Sequence, residues 1–457
     1  MKELTLKQIA DWCGGTVAPE YETVPVTGVE SDSRKVEVGD LFVALRGERV
    51  DGHDFIPSAK TLGASAALVS RPSEELPCVV VESPLRAYGE IAKHYREMTG
   101  VKVVGITGSV GKTTTKEMIA SVLSRDFKLY KSEGNHNNEI GLPMTVMNMP
   151  EDTELLVAEL GTNHPGEIAY LSAIAQPDYA VITNIGIAHI EYLGSREGIL
   201  REKLDILRSS LKNTVGIFNG DEPLLWNVRD KGTHKKYYFG IDNPSCDVVA
   251  SGIQELDDGM RFHVSGFHHE FELFVPALGR HMVYNALAAA TVGLAMGVKP
   301  ETIQNELSIF RNTGMRQKIY EKNGMTIIED CYNAGPESTE AALGVLASVK
   351  TSGKRIAVLG DMLELGNRSS AEHYRIGRIA AQKADLLLTY GAHSVRTVTG
   401  AITGGMSPKN AEHFDTHEDL VRMLKMRAGE ADVILFKGSR GMKMERVLQM
   451  FLDDHKV

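Results

Sequence analysis

The segment VKVVGITGSVGKTTT, residues 101–115, is the most informative part of this chain about its fold class. It begins as an apolar run typical of a buried strand, and its glycine-rich second half leads into a helix with an apolar stripe. Glycines allow backbone N–H groups to wrap a phosphate chain, and a helix N-terminus adds partial positive charge. The strict motif has glycine where this chain has Ile106, with Gly105 one residue earlier. The strand–loop–helix context still predicts a site for a nucleoside triphosphate.

Two side chains of this loop have separate expected roles. Lys112 is expected to reach the β- and γ-phosphates, and the Thr113 hydroxyl is expected to ligate Mg²⁺. The predicted nucleotide-binding segment as a whole consists of Thr107, Gly108, Ser109, Val110, Gly111, Lys112, Thr113 and Thr114.

Strands and helices alternate on both sides of the loop, which predicts a chain of three α/β domains. At ~150 residues per domain, a length of 457 also suggests about three. We expect a small α/β domain over residues 1–98 and a central P-loop ATPase domain with a mostly parallel sheet over 99–313. A Rossmann-like, doubly wound α/β domain is expected over 314–457. Alternating residues at 247–276 predict an antiparallel insertion in the central domain.

Composition and charge exclude several classes of function. Apolar residues make up 42% of the chain and charged residues 24%, as in ordinary globular proteins. The net charge of −10 argues against a nucleic-acid partner, because binding many phosphates needs surplus Lys and Arg. The cysteines form no CxxC pair, and no apolar run reaches the ~18 residues of a transmembrane segment. Since the N-terminus also has no apolar signal-peptide core, we expect a cytoplasmic protein.

Loops that follow predicted strands supply candidate binding residues in all three domains. Glu159 stands at the end of the run Leu155–Leu160, where a carboxylate suits Mg²⁺ ligation. In the first domain, two loops repeat Asp, Arg and His at 31–35 and 46–55. In the third domain, ligands are expected beyond the carboxyl ends of strands. The loops there are DCYNAGP at 330–336, GDMLELG at 360–366 and KGSRGMKME at 437–445.

The helix predicted after Ser195 contains one residue that does not fit its face. At ~100° per residue, Lys203 falls inside the apolar arc of this helix. One interpretation is a lysine at the edge of the arc whose head group reaches water. The other is a functional lysine with a perturbed charge, because an unpaired ammonium is costly to bury. The apolar arc consists of Ile199, Leu200, Leu204, Ile206, Leu207 and Leu211, and the opposite side of Arg201, Glu202, Asp205 and Arg208.

Five segments resemble the ATP-dependent Mur ligase family. They are GITGSVGKTTT (105–115), NHNNEIGLP (135–143), AELGTNHPGEI (158–168), ITNIGIAHIEYLGSREGILREKLDI (182–206) and LGRHMVYNALAA (278–289). Within the family, the first domain and the C-terminal loops are similar to the branch that adds D-alanyl-D-alanine to UDP-N-acetylmuramoyl-tripeptide. The segments that carry this similarity are VESDSRKVEVGDLFVALRGERVDGHDFI, DCYNAGPES, LGDMLELG and KGSRGMKME.

The resemblance implies a catalytic and metal-binding set. Lys203 matches a lysine that CO₂ carbamylates, which would convert its cation into an anion that helps to hold a second Mg²⁺. Glu159 and His189 match a metal-binding acid and histidine. The implied catalytic residues are Lys112, Lys203, His189 and Glu159, and the implied metal ligands are Thr113, Glu159, His189 and carbamylated Lys203.

Substrate contacts are implied in the same way. His281 and Asn285 match the segment that approaches the ribose and adenine of ATP, and Arg316 and Asp330 match residues that close onto ATP. The loops at 31–34 and 46–53 match the part that holds the UDP end of the sugar nucleotide. Lys437, Ser439 and Arg440 match residues that bind the incoming amino-acid substrate and its carboxylate. The implied substrate-contacting residues are Ser31, Asp32, Ser33, Arg34, Arg46, Gly47, Asp51, His53, Asp361, Lys437, Ser439 and Arg440.

The reaction implied by the resemblance uses ATP and two Mg²⁺ ions. The γ-phosphoryl group passes to the terminal carboxylate of the tripeptide, and the amine of D-alanyl-D-alanine attacks the resulting acyl phosphate. Because an acyl phosphate hydrolyses in water, we expect the domains to close around the substrates. We further expect a monomer.

Other functions compete with this one. A Mur ligase that adds the third peptide residue would show a DNPR-like loop in the third domain, but the only Asp-Asn-Pro lies at 242–244 and Ser245 follows it. A folylpolyglutamate-synthase-like ligase is a second alternative. A regulatory GTPase-type switch would show an NKxD stretch after a strand, and the sequence has none.

Overall fold

The computed structural model of the protein describes residues 1–47, 49–208 and 213–453. Within these residues the strands form sheets of four, nine and six strands and a two-stranded ribbon. Each of the three larger sheets uses a separate, consecutive part of the chain, so the predicted layout of three α/β domains is confirmed. The boundaries at 98 and 313 stay predictions. No helix among the described residues is long and apolar enough to cross a membrane.

The first domain is a parallel sheet of order β3-β4-β5-β6 flanked by helices. Thr5 and Gln8 cap the first helix reciprocally, and Gly14 ends it in the left-handed conformation at φ 65°. Since β3 and β4 are parallel neighbours, the loops that follow them emerge at one edge of the sheet. Its elements are β1 (Leu4–Thr5), α1 (Leu6–Cys13), β2 (Pro25–Val26), β3 (Gly28–Glu30), β4 (Asp40–Val43), α2 (Ile56–Leu62), β5 (Ala66–Val69), β6 (Cys78–Val80) and α3 (Pro84–Thr99).

The central domain contains the largest sheet, of order β15-β14-β13-β12-β11-β10-β7-β9-β8. Its elements are β7 (Lys102–Thr107), α4 (Lys112–Leu123), β8 (Leu129–Lys131), α5 (Gly141–Met147), β9 (Leu155–Glu159), α6 (Glu167–Ala175), β10 (Tyr179–Ile182), α7 (Ile190–Leu193), α8 (Arg196–Leu204), β11 (Val215–Asn219), α9 (Pro223–Trp226), β12 (Lys236–Gly240), β13 (Val248–Leu256), β14 (Gly259–Gly266), β15 (His269–Val275), α10 (Arg280–Ala295) and α11 (Pro300–Ser308).

The arrangement of these strands positions the predicted site. Strand β7 lies between β9 and β10 and is parallel to both, so the loops after all three strands meet at one sheet edge. The segment 247–276 is antiparallel as predicted, but it extends the main sheet: β13 pairs in parallel with β12, and β14 and β15 follow as antiparallel strands.

Helix α8 is shorter than the sequence pattern predicts. It ends at Leu204, and one 3₁₀ turn follows. Glu202, which the pattern places on the polar side, is only 4% exposed. That expectation was wrong because its carboxylate accepts hydrogen bonds from the backbone N–H groups of Gly166 and Ile168, at 2.7 and 2.8 Å. Leu211, also assigned to the helix from sequence, lies outside the described residues.

The third domain is a doubly wound sheet of order β16-β17-β21-β18-β19-β20, parallel except for the edge strand β16. Strands β17, β21 and β18 are neighbours, so the three loops singled out from sequence lie side by side. Its elements are β16 (Lys318–Lys322), β17 (Met325–Asp330), α12 (Pro336–Ser348), β18 (Arg355–Gly360), α13 (Ser369–Lys383), β19 (Leu386–Tyr390), α14 (Val395–Thr403), β20 (Ala411–Phe414), α15 (His417–Arg427), β21 (Val433–Lys437) and α16 (Met444–Asp453).

Candidate active site

Two glycines allow the loop between β7 and α4 to follow its path. Gly108 has φ +152°, and a Cβ at this position would lie 1.8 Å from the hydroxyl of Thr183. Gly111 has φ +82°, and a Cβ there would lie 2.7 Å from the side-chain oxygen of Asn285. The loop therefore packs directly against the β10 loop and against α10, in a conformation that other residues adopt only with strain.

The first turn of α4 brings a lysine, a hydroxyl and a carboxylate together. The Lys112 ammonium donates a hydrogen bond to the carbonyl of Gly108 at 2.9 Å. The Thr113 hydroxyl donates to Glu159 at 2.7 Å, and the Asn137 amide donates to the other oxygen of the same carboxylate at 2.9 Å. Burial lowers the pKa of Lys112 below its usual value, and the charge of Glu159 opposes this effect. The structure thus brings the predicted residues Lys112, Thr113 and Glu159 together at the start of α4.

The Thr113–Glu159 pair fits Mg²⁺, because this ion prefers hard oxygen ligands. The pair does not complete a metal site alone: across the described parts of the chain, no three His, Cys, Asp or Glu side chains lie close enough to hold a metal ion. Mg²⁺ commonly takes one or two carboxylates together with substrate phosphates and water. The donor set is therefore suited to an ion that arrives with a nucleotide.

Lys203 of α8 is buried inside the central domain. The residue is 2% exposed, and its ammonium forms no hydrogen bond or ion pair with any residue that the structure describes. Burial, and then repulsion from the charge of Lys112, lower the pKa of Lys203 well below its ordinary value, against the attraction of Glu202. A head group that reaches water does not match this burial, so the second of the two sequence interpretations fits the structure better.

His189 contacts the third domain. It precedes α7 in the left-handed conformation at φ 60°. Its Nδ1 lies 2.5 Å from a carboxylate oxygen of Glu364, in the loop after β18. This hydrogen bond lowers the pKa of Glu364 below its usual value. Sequence reasoning singled out the loop of Glu364 but assigned this residue no role.

The residues expected to meet the nucleoside lie where the central and third domains touch. His281 is hydrogen-bonded through Nε2 to the side-chain oxygen of Gln317 at 2.8 Å. Burial lowers the pKa of His281, and this hydrogen bond opposes the shift. The guanidinium of Arg316 lies 3.7 Å from the ring centroid of Tyr332, in the geometry of a cation–π contact.

Two of the three residues expected to grip the acceptor are occupied by contacts within the third domain. Lys437 is 2% exposed, and its ammonium lies 2.5 Å from the carboxylate of Asp330. The Ser439 hydroxyl donates to the carbonyl of Ala334 at 3.0 Å. Arg440 is different, because its side chain is 58% exposed and pairs with Glu445 at 3.0 Å. Arg440 is the accessible cation of this group.

The carboxylate of Asp361 lies inside the third domain. Asp361 is 3% exposed. Its side chain accepts hydrogen bonds from the hydroxyl of Ser394 at 2.5 Å and from the backbone N–H of His393 at 3.1 Å. These contacts tie the loop after β18 to the loop after β19. The structure therefore does not bring this carboxylate to the substrate site expected from sequence.

The candidate UDP-binding loops of the first domain form two separate networks at one sheet edge. In the loop after β3, Arg34 makes two hydrogen bonds to Asp32, at 2.8 and 2.7 Å, and these lower the pKa of Asp32 to about 2. In the loop after β4, Asp51 bonds the ring of His53 at 2.7 Å and Arg71 at 3.2 Å. The predicted residues of this region are Ser31, Asp32, Ser33, Arg34, Arg46, Gly47, Asp51 and His53.

A cavity of about 1330 Å³ is bounded by all three domains. Of the predicted site residues, it is lined by Ser109, Val110, Gly111, Lys112, Thr113, Thr114, Glu159, His189, His281, Asn285, Arg316, Asp330, Lys437, Ser439 and Arg440. The lining does not include the predicted residues Thr107, Gly108, Lys203 and Asp361, nor those predicted in the first-domain loops at 31–34 and 46–53.

Sequence reasoning missed several residues that line the cavity. Asn137 supports Glu159, and its segment NHNNEIGLP held a usable signal in its closely spaced asparagines. Arg86 of α3 lies over the ring of Tyr170, with 4.5 Å between the guanidinium and the ring centroid. No motif indicated that contact, because it joins two helices of different domains.

Comparisons with known proteins agree with this geometry. Three family models match in order: the Mur ligase family catalytic domain over residues 25–108, the Mur ligase middle domain over 106–293, and the Mur ligase glutamate ligase domain over 315–440. The chain belongs to the Mur ligase family. The family assignment made from sequence is thereby confirmed.

Individual relatives within the family are similar to the chain over nearly its whole length. The chain is 41% identical to the UDP-N-acetylmuramoyl-tripeptide–D-alanyl-D-alanine ligase of Bacillus subtilis (strain 168), with 99% of each chain covered. It is 35% identical to the protein of the same name from Escherichia coli (strain K12), with 98% of each covered. A crystal structure of MurF from Acinetobacter baumannii is similar with a TM-score of 0.91, 32% identity and coverage of 99% and 100%. The crystal structure of MurF from Thermotoga maritima in complex with ADP is similar with a TM-score of 0.83 and 31% identity. The match covers 94% of this chain and 98% of that one.

Proposed function

We propose that this chain joins D-alanyl-D-alanine to UDP-N-acetylmuramoyl-tripeptide at the expense of ATP. One observation carries the assignment: a single cavity has the phosphate-binding loop on one wall and Arg440 on another. The reaction needs this arrangement, because the phosphoryl donor and the incoming amine must reach the same carboxylate. The full-length similarity to relatives with this printed name supports it.

The first step is phosphoryl transfer. An oxygen of the terminal carboxylate of the tripeptide attacks the γ-phosphorus of ATP, the bond to the β-phosphate oxygen breaks, and ADP leaves. The product is an acyl phosphate. Lys112, at the start of α4, neutralises the charge that develops on the γ-phosphoryl oxygens. His281 and Asn285 contact the nucleoside from α10, and Arg316 and Asp330 approach it from the third domain.

Thr113 and Glu159 would hold one Mg²⁺, and His189 and carbamylated Lys203 would help to hold a second. Bound there, the ions supply neutralisation of phosphate charge. Carbamylation proceeds by attack of the neutral amine of Lys203 on CO₂, with loss of one proton, and leaves an anion on the side chain. The unpaired, buried position of Lys203 supports this modification, because an anion next to Lys112 is better placed there than a second cation.

The second step forms the peptide bond. The amine of D-alanyl-D-alanine attacks the acyl carbon, and phosphate leaves from the tetrahedral intermediate. Arg440 and Ser439 orient the carboxylate of the dipeptide, and Lys437 fixes Asp330 beside them. Because all three domains bound the cavity, it excludes water from the acyl phosphate when they close.

The remaining assignments concern the UDP end, the compartment and the assembly state. The loops after β3 and β4 hold the UDP part of the sugar nucleotide at the carboxyl edge of the first sheet. We assign the reaction to the cytoplasm, where ATP is supplied; the four unpaired cysteines suit its reducing conditions. A monomer is sufficient, since one chain supplies every wall of the cavity.

The test is phosphate release from ATP in the presence of UDP-N-acetylmuramoyl-tripeptide and one amine at a time. With D-alanyl-D-alanine, we expect one phosphate per peptide bond formed. Single amino acids, including glutamate, lysine and diaminopimelate, should release little phosphate. Stoichiometric release with a single amino acid, and none with the dipeptide, would contradict the proposal and favour one of the alternative ligases.

A further inference from the structure

The contact between His189 and Glu364 joins the central and third domains beside the cavity. Besides the 2.5 Å side-chain hydrogen bond, the backbone N–H of Glu191 lies 3.4 Å from the carbonyl of Glu364. Both partners adopt left-handed backbone conformations, at φ 60° for His189 and 62° for Glu364. Non-glycine residues adopt this conformation at some cost, so the surrounding loops hold both side chains in place.

The hydrogen bond leaves one imidazole nitrogen for another purpose. Nδ1 of His189 is engaged by the carboxylate, whereas Nε2 has no hydrogen-bond partner among the residues that the structure describes. His189 lines the cavity. A histidine that ligates a metal through one nitrogen is commonly oriented by a carboxylate on the other, because this contact fixes both the tautomer and the ring plane. Glu364 is placed to orient His189 in this way, because its carboxylate contacts Nδ1 and leaves Nε2 for a metal.

The loop that carries Glu364 is also bound to the acceptor-gripping residue Ser439. The backbone N–H of Leu363 donates to the Ser439 hydroxyl at 2.9 Å. The backbone N–H of Ser439 donates in turn to the carbonyl of Asp361 at 3.0 Å. The chain from Ser439 to His189 thus runs through one short loop, and it crosses from the third domain to the central domain.

We propose that Glu364 is a positioning residue which the third domain supplies to His189, so that the histidine is correctly oriented only when the acceptor-binding domain is docked. This inference rests on the proposed role of His189 as a metal ligand. The consequence is an order of events: phosphoryl transfer is favoured once the domain that brings the amine is in place. The acyl phosphate is then less exposed to water before the amine attacks.

The experiment measures Mn²⁺ affinity in the presence of ADP, which needs no turnover. Glu364→Ala should weaken Mn²⁺ binding about 10-fold to 100-fold, the range expected when an orienting partner of a metal ligand is lost. Glu364→Gln keeps an oxygen that accepts from Nδ1–H and should restore most of the affinity. The matched control is Lys350→Ala, which breaks the ion pair of Lys350 with Asp257, another contact between the same two domains and outside the cavity. It should leave the affinity unchanged.

A double-mutant cycle separates the possible outcomes. If Glu364 acts through His189, the double variant His189→Ala/Glu364→Ala should bind Mn²⁺ no more weakly than His189→Ala alone. Additive losses would overturn the inference, since Glu364 would then act independently of the histidine. A normal affinity in Glu364→Ala beside a weakened His189→Ala would also overturn it. If His189→Ala itself binds Mn²⁺ normally, the ligand role in the proposed function fails instead.

Discussion

Two lysines of the central domain are equally buried and entirely different in their surroundings. Lys116 of α4 is 0% exposed; its ammonium donates to the carbonyl of Ser132 at 2.5 Å and pairs with Glu117 at 3.1 Å. Lys203 of α8 is 2% exposed, and its ammonium has no hydrogen-bond or ion-pair partner among the described residues. A buried ammonium normally requires compensation. Neighbouring residues of the fold compensate the charge of Lys116. The charge of Lys203 is compensated only if a ligand or a modification supplies a partner.

The difference indicates which buried charge is structural and which is chemical. A paired lysine stabilises the arrangement of its neighbours, so its loss should affect folding. An unpaired one costs stability, and a protein retains such a residue where function depends on it. We therefore expect opposite effects on stability and activity from equivalent substitutions of Lys116 and Lys203.

The largest effect is expected at Lys203. Lys203→Ala removes the proposed anion at the second Mg²⁺, worth several kcal/mol, so turnover should fall about 10³-fold while nucleotide binding is largely retained. Acetate at high concentration should restore part of the activity by filling the space with a carboxylate. Lys203→Arg should be inactive and should not respond to acetate. Steady-state kinetics with and without acetate checks this prediction, and a fully active Lys203→Arg would refute it.

Lys112 is an intermediate case, because it is partly enclosed by the loop and faces the nucleotide. Lys112→Ala removes the charge that follows the γ-phosphoryl group, so turnover should fall by about 10²-fold or more. Its thermal unfolding midpoint should stay close to that of the unmodified chain, since the Lys112 ammonium makes a single hydrogen bond to the residues that the structure describes, with the carbonyl of Gly108. Near-normal turnover would mean that the loop is not a phosphate site.

Arg440, unlike the buried lysines, is a largely exposed cation. Its side chain is 58% exposed and already paired with Glu445, so Arg440→Ala should raise the KM for D-alanyl-D-alanine about 10-fold, the low end for a lost charge pair. The KM for the UDP-linked tripeptide should hardly change, because the first domain holds that end. Equal weakening of all substrates would indicate a defect in domain closure instead.

The smallest effects are expected on stability, and they distinguish Lys116 from Lys203 directly. Lys116→Met leaves the buried carbonyl of Ser132 unsatisfied and should lower the free energy of unfolding by about 1–3 kcal/mol, with turnover per folded molecule retained. Lys203→Met, in contrast, removes an unpaired buried amine and should leave stability unchanged or raised, with activity lost. Urea unfolding of both variants measures the sign of the change in the free energy of unfolding. Equal destabilisation of the two would remove the distinction between them.

Much of the fold followed from local patterns. The strand, loop and helix around Lys112 and the strand that ends at Glu159 were both predicted, because short-range patterns in the sequence determine them. The placement of segment 247–276 on the edge of the main sheet was not, since strand pairing depends on residues far apart in sequence.

In the candidate site, too, residues with a local sequence signal were predicted, and contacts between distant segments were not. Lys112 and Thr113 were predicted from the glycine-rich loop and Glu159 from a strand end, and in the structure the Thr113 hydroxyl donates a hydrogen bond to Glu159. The partners that cross between domains, Glu364 for His189 and Arg86 for Tyr170, had no local signal. Such contacts depend on how the domains dock, which no single segment encodes.

The most direct test of the difference between the two buried lysines is ¹³C NMR of the protein in ¹³C-bicarbonate. The unmodified chain should show one carbamate carbon signal, which persists in Lys116→Met and is absent from Lys203→Arg. The same samples should show that nucleotide binding survives in both variants, so that loss of the signal is not loss of the fold. A carbamate signal that remains in Lys203→Arg, or none in the unmodified chain, would contradict the account.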